Sequence, residues 1–130
     1  MGKRFTSRRL AMQALYQAEV AKCEIAQALA NTFEEQEYLK DTTDFAVELA
    51  TGAWEKREVI DTIIRAKTKD WDIDRLTGVD RNILRLAIYE LKYLPKTPVA
   101  VVINEALELA KKYSAPESAK FINGILGAVD

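Results

Sequence analysis

One stretch constrains this chain more than any other: Val79 to Leu94, reading Val-Asp-Arg-Asn-Ile-Leu-Arg-Leu-Ala-Ile-Tyr-Glu-Leu-Lys-Tyr-Leu. Wound as a helix, it sets Ile83, Leu84, Leu86, Ala87, Ile88, Leu91 and Leu94 over well more than half of its circumference. A helix that is apolar on most sides must be wrapped by neighbours. Its polar positions, Asp80, Arg81, Asn82, Arg85, Glu90 and Lys92, gather mostly in the first turns. Thr77 can cap the start, with Asp80 three residues on as the reciprocal partner of a capping box. The rest of the fold has to be built around this core helix.

The chain supplies enough helix to do so. Its 130 residues suit one domain, and five glycines and three prolines are too few for a sandwich that turns every few residues. A single cysteine, Cys23, excludes an internal disulfide and a cysteine-built metal cage, so a reducing compartment is expected. No apolar run reaches bilayer-spanning length and no signal-peptide pattern opens the chain, which predicts a cytoplasmic protein without membrane association.

Helical periodicity places the other elements. A first helix starts near Thr6 or Ser7 and runs to about Lys22, with Leu10, Ala14, Leu15 and Val20 inward and Arg8, Arg9 and Gln13 away from the centre of that stripe. A second spans about Glu24 to Tyr38 on Ile25, Leu29 and Phe33. Asp41 to Asp44 offers caps for a third carrying Phe45, Leu49 and Trp54. A break near Lys56 precedes a fourth to about Lys69, with Val59, Ile60, Ile63 and Ile64. Trp71, Ile73 and Leu76 are expected to pin a connector to the core, and both tryptophans read as packing anchors. Val99 to Ile103 is β-branched. Yet Val99, Val102, Ile103, Ala106, Leu109, Ala110 and Tyr113 hold helical spacing, with Thr97 as cap and Pro98 at the first helical position. A last helix runs from Pro116-Glu117 to Val129, burying Phe121 or Ile122 with Ile125 and Leu126. Asn104 and Asn123 read as buried hydrogen-bonding groups.

Charge is distributed unevenly. Net charge is −1, yet residues 1 to 9 hold Lys3, Arg4, Arg8 and Arg9 with no acid, a +4 arm on a body of −5. Such asymmetry suits a tail that meets polyanions, although on charge alone a solvated terminus is the favoured reading. Enzyme readings find no support. There is no histidine, which removes Ser-His and Cys-His pairs and most zinc sites. Neither phosphate-cradling glycine pattern occurs. Acid pairs such as Asp44 with Glu48, or Glu105 with Glu108, read as solvated faces. No catalytic residue, cofactor or metal site is expected.

Three blocks carry a resemblance. Arg8-Arg9-Leu10-Ala11-Met12-Gln13-Ala14-Leu15-Tyr16 is similar to the opening of the NusB transcription antitermination factor family, and Asp80 to Leu91 to its central helix. Ile103-Asn104-Glu105-Ala106 with Leu109-Ala110-Lys111-Lys112, and Lys120-Phe121-Ile122-Asn123-Gly124-Ile125-Leu126, resemble its last two helices. Their order and spacing span nearly the whole chain. The resemblance implies an all-α fold of about seven helices in two packed subbundles. It also implies an RNA ligand, the boxA element of ribosomal RNA leader transcripts, a partner, the small-subunit ribosomal protein NusE, and a place in the antitermination complex of RNA polymerase.

Single-stranded RNA is held by cations along phosphates and by side chains that stack on or hydrogen-bond to bases. Lys3, Arg4, Arg8 and Arg9 supply cations, and Gln13 lies one turn from Arg9. Carried over by position, Glu117, Lys120 and Phe121 complete the RNA surface, with Arg85 a marginal member. Tyr16 and Asp80 match positions near the NusE contact. The arm departs from the family in having Phe5, Thr6 and Ser7 where denser arginine is common. A second reading is an RNA-recognition or protein-interaction module related to the amino-terminal domain of ribosomal RNA cytosine methyltransferases, without catalysis. Self-association into a homodimer that hides the arm stays open, and Gly124 with Gly127 neither establishes nor excludes it.

Overall fold

A computed structural model describes residues 3–68 and 76–129. The described residues form seven α-helices: α1 (Lys3–Ala21), α2 (Ile25–Phe33), α3 (Lys40–Glu55), α4 (Arg57–Lys67), α5 (Gly78–Tyr93), α6 (Val99–Tyr113) and α7 (Ser118–Gly127). Helices α1, α2 and α3 pack on one another, as do α5, α6 and α7. The two groups meet where α5 lies against α1 and α3, and α4 bridges α3 and α5.

Helix α5 is the wrapped helix its composition demands: Ile83, Leu84, Leu86, Ala87 and Ile88 are buried, and so are Asp80, Asn82, Arg85 and Glu90. Thr77 caps it by accepting from the Asp80 amide at 3.1 Å. The reciprocal half of the expected capping box is absent. The Asp80 carboxylate turns instead to the hydroxyls of Ser114 and Ser118.

Two glycines permit close approach between helices. A Cβ added at Gly52 would lie 2.1 Å from the Tyr89 ring, and one at Gly78 would lie 2.6 Å from the ring of Tyr16. Gly52 therefore lets α3 meet α5, and the helix continues through it.

Several boundaries differ from the periodicity. Helix α1 begins at Lys3 rather than Thr6, because Phe5 is buried in the core and the Ser7 hydroxyl donates to the Thr42 carbonyl of α3 at 2.8 Å. The arm is thus the first turn of a docked helix. At the other end of α1, Lys22 takes a left-handed φ of 56° and Cys23 N donates to the Ala18 carbonyl, a helix stop normally made by glycine. Helix α2 stops at Phe33, five residues short of Tyr38, whose ring meets Phe33 edge-on at 6.5 Å. Leu39, with no side-chain bond, precedes α3, so the expected caps lie inside its first turns. The break falls at Lys56 as expected. Helix α4 ends at Lys67, two residues before Lys69. Val99 to Ile103 is helical, with Pro98 at the cap position rather than the first turn. Helix α7 opens at Ser118 and buries Ile122, while Phe121 is half-buried against the core. Leu76 is buried and Trp54 is half-buried against the core. The roles expected of Trp71 and Ile73 lie outside the described residues.

Candidate nucleic-acid interface

The polar residues of α5 cannot be left unpartnered inside a core, because a buried charge without a mate costs several kcal/mol. Each finds its mate on another helix. Arg85 donates to Asp61 of α4 through Nε and NH2, both at 2.8 Å, and to Glu19 of α1 at 3.0 Å. Arg81 makes a two-pronged contact with Glu19 at 2.7 and 2.8 Å, and Asn82 adds a third donor to the same carboxylate. Burial alone would raise the Glu19 pKa, but Arg81, Arg85 and Asn82 outweigh it and hold the group below the usual carboxylate range. Among the described residues every buried side-chain nitrogen and oxygen has a partner.

The second network involves the arm. Arg8 is 4% exposed, and Glu90 of α5 is 1% exposed. Arg8 Nε donates to Glu90 at 2.9 Å, NH2 pairs with the other Glu90 oxygen, and NH1 reaches Glu105 of α6 at 2.8 Å. Burial disfavours the Arg8 charge, yet Glu90 and then Glu105 more than compensate and hold its pKa above the ordinary arginine value. Arg8 is therefore a three-helix clasp, contrary to its expected place on the exposed side of α1. Arg85 is corrected likewise: its guanidinium faces Asp61 and Glu19 in the interior, not a phosphate track.

Asp80, 7% exposed, ties α5 to the α6–α7 turn through Ser114 and Ser118, so its oxygens serve the fold. The asparagine expectations are also reversed, because Asn104 and Asn123 are exposed.

What α1 leaves outward is a stripe that is half-buried at Thr6, Arg9, Gln13 and Gln17 and exposed at Tyr16. Phe5, Arg8, Leu10, Ala11, Met12, Ala14, Leu15 and Ala18 face inward. Thr6, Arg9, Gln13, Tyr16 and Gln17 fall on the opposite side at helical spacing. Arg9 donates to Gln13 at 3.1 Å, which holds both side chains along the helix, and Tyr16 is 41% exposed beside Gly78. Lys3 and Arg4 are exposed at the start of the same helix, with the Arg4 guanidinium 4.0 Å from the Phe45 ring centre.

The end of α6 joins this region, since Lys112 Nζ stands 5.0 Å over the Phe5 ring. Glu117 and Lys120 are exposed at the start of α7. Chemically, the arrangement is a cationic helix face with an amide and a phenol in register. Among the described residues no group of three or more His, Cys, Asp or Glu is placed to hold a metal ion, and no helix is long and apolar enough to cross a membrane.

Comparison with known proteins decides the family, because the NusB family profile matches residues 6–130. The chain belongs to the NusB family. It is 45% identical over 128 residues to the transcription antitermination protein NusB of Bacillus thuringiensis (strain Al Hakam), covering 98% of this chain and 96% of that one. The NusB structure of T. maritima superposes with a TM-score of 0.91 at 36% identity, covering 99% of this chain and 90% of that one. A crystal structure of the antitermination factors NusB and NusE in complex with dsRNA matches at TM-score 0.90 and 33% identity, covering 99% of this chain and 96% of the other. The fold is therefore the NusB fold, with seven helices among the described residues in two packed subbundles. Transcription antitermination is the work of the curated relatives it resembles.

Glu19, Asp61, Ser114 and Ser118 carry no local mark in the sequence, and Glu105, expected on a solvated face with Glu108, is instead a partner of Arg8. A signal for them existed: four charged or amide side chains in a wrapped helix require mates somewhere in the chain.

Proposed function

We propose that this NusB-family chain is a transcription antitermination factor that binds boxA-type single-stranded RNA together with NusE, as one RNA-binding domain acting in the cytoplasm. It contributes binding and no catalysis. The observation that carries this reading is the outward stripe of α1. Arg9 and Gln13 are presented side by side on a helix whose opposite face is locked into the core. A cation and an amide one turn apart pair naturally with a phosphate and a base edge. Lys3 and Arg4 extend the cationic track, Lys120 and Glu117 add polar reach from α7, and the partly buried Phe121 ring is the stacking candidate.

Tyr16 lies toward the start of α5, where Asp80 fastens the α6–α7 turn, and this end is the proposed NusE contact. The relative solved with NusE and RNA supports both partners. The test is a titration of labelled boxA-type RNA with and without NusE. Tighter binding with NusE, weakened by Arg9→Ala at unchanged helical content, is the expected result. Affinity indifferent to both NusE and Arg9 refutes the reading.

A further inference from the structure

The first turn of α1 does not project into open solvent. Lys3 and Arg4 share a groove with Asp41, Asp44, Phe45 and Glu48 of α3 and Glu105 of α6. Asp41, Asp44, Phe45 and Glu48 stand at i, i+3, i+4 and i+7, so they form one face of α3. The Arg4 guanidinium lies over Phe45 in the middle of that face, 4.0 Å from the ring centre. Asp41, Asp44 and Glu48 are exposed. Asp44 also accepts from Lys40 at 2.8 Å, and Glu105 is already engaged by Arg8. With Asp44 and Glu105 so engaged, Asp41 and Glu48 are left as uncompensated negative charge beside the two cations. Any polyanion reaching for Lys3 and Arg4 must approach within the field of these carboxylates.

We propose that the acidic face of α3, Asp41, Asp44 and Glu48, is a specificity determinant of the RNA site, a reading that rests on the RNA-binding function above. The carboxylates repel phosphate approaching Lys3 and Arg4. RNA that gains nothing further along α1 does not overcome that repulsion. RNA that also fills the Arg9–Gln13 stripe does. The acidic face thus suppresses sequence-independent binding more than cognate binding, which is how a site discriminates by opposing the wrong ligand.

The experiment compares the full chain with the triple variant D41N/D44N/E48Q against oligo(U) and boxA-type RNA, with NusE present, across a salt series. Expected for oligo(U) is a gain of about tenfold at low salt, the size of a few exposed charge repulsions removed. Its salt slope should steepen by up to roughly 0.7 per added phosphate contact. BoxA-type RNA should gain less. Adding Lys3→Ala and Arg4→Ala should abolish the gain. A charge-matched control, E24Q/E55Q/E58Q, neutralises exposed acids away from the arm and should leave discrimination unchanged. An unchanged oligo(U) affinity, an equal gain for both RNAs, an equal gain in the control, or a gain that survives loss of Lys3 and Arg4 overturns the proposal. Failure of the unmodified chain to bind either RNA would instead refute the RNA-binding reading itself.

Discussion

Removing the Arg8 guanidinium strands a carboxylate. Glu90 is 1% exposed and receives two bonds from Arg8, while Glu105, at 19%, can turn to water. Arg8→Ala therefore leaves one buried, uncompensated anion, for which the usual cost is about 3–5 kcal/mol. Unfolding entropy of about 2.1 cal/mol/K per residue gives a chain of this length roughly 0.27 kcal/mol/K, so the melting temperature should fall by about 11–18 °C.

Arg8→Met with Glu90→Leu removes both charges at similar volume and should recover most of the loss, because an apolar replacement of a buried pair is commonly neutral or better. Thermal and urea unfolding followed by far-UV circular dichroism measure both variants. If Arg8→Ala costs less than about 1 kcal/mol, as an exposed pair would, Arg8 is not a buried clasp and its exclusion from the RNA surface is wrong. The double variant also separates fold from function. It should bind RNA with the salt dependence of the unmodified chain, which a phosphate contact by Arg8 would not allow.

Other expectations follow from the same contacts. Glu19 titrates below its unfolded value, so its stabilising contribution is complete above about pH 4.3 and is lost as pH falls through the lower folded pKa. Acid unfolding of Glu19→Gln should accordingly show a shallower loss of stability below that pH. Gly52→Ala forces the Tyr89 ring aside and should cost about 1–3 kcal/mol by urea unfolding, whereas in a Tyr89→Ala background the same change should be neutral or stabilising. Lys22→Gly relieves the left-handed residue that ends α1 and should stabilise by about 1 kcal/mol, and a loss on the same assay would contradict the strain assigned to that position.

The parts of the architecture legible beforehand are those set by local pattern. Val79 to Leu94 announced a wrapped helix because its apolar residues leave no wide polar face, and α5 is that helix. Helical spacing through Ala106 and Leu109 rightly overrode the β-branched run at Val99 to Ile103. Depth was less legible than direction. A helical wheel puts Arg8 beside the apolar stripe of α1, but α1 touches α2, α3, α5 and α6, so its buried arc is wider than one stripe. The partner that makes the burial of Arg8 tolerable sits 82 positions away. No local pattern points to a mate at that separation.

Arg85 escapes local pattern for the same reason, since Asp61 and Glu19 belong to other helices. Asn104 and Asn123 depart from their pattern in the opposite sense, being exposed. Each lies off the buried positions of its helix, Val102, Ala106 and Leu109 in one case and Ile122, Ile125 and Leu126 in the other. The early start of α1 depended on Phe5 finding a core and Ser7 finding Thr42, both tertiary facts.

The central claim is that RNA is held by the outward face of α1 and not by the buried arginine beside it. Its most direct test is the salt dependence of boxA-type RNA affinity, with NusE present, for Arg9→Ala against Arg8→Met/Glu90→Leu. The account expects Arg9→Ala to flatten the logarithmic slope by roughly 0.7, the value of one phosphate contact on a single strand, and the Arg8 pair to leave it unchanged. The reverse pattern, a slope altered by the Arg8 pair and indifferent to Arg9, would contradict it.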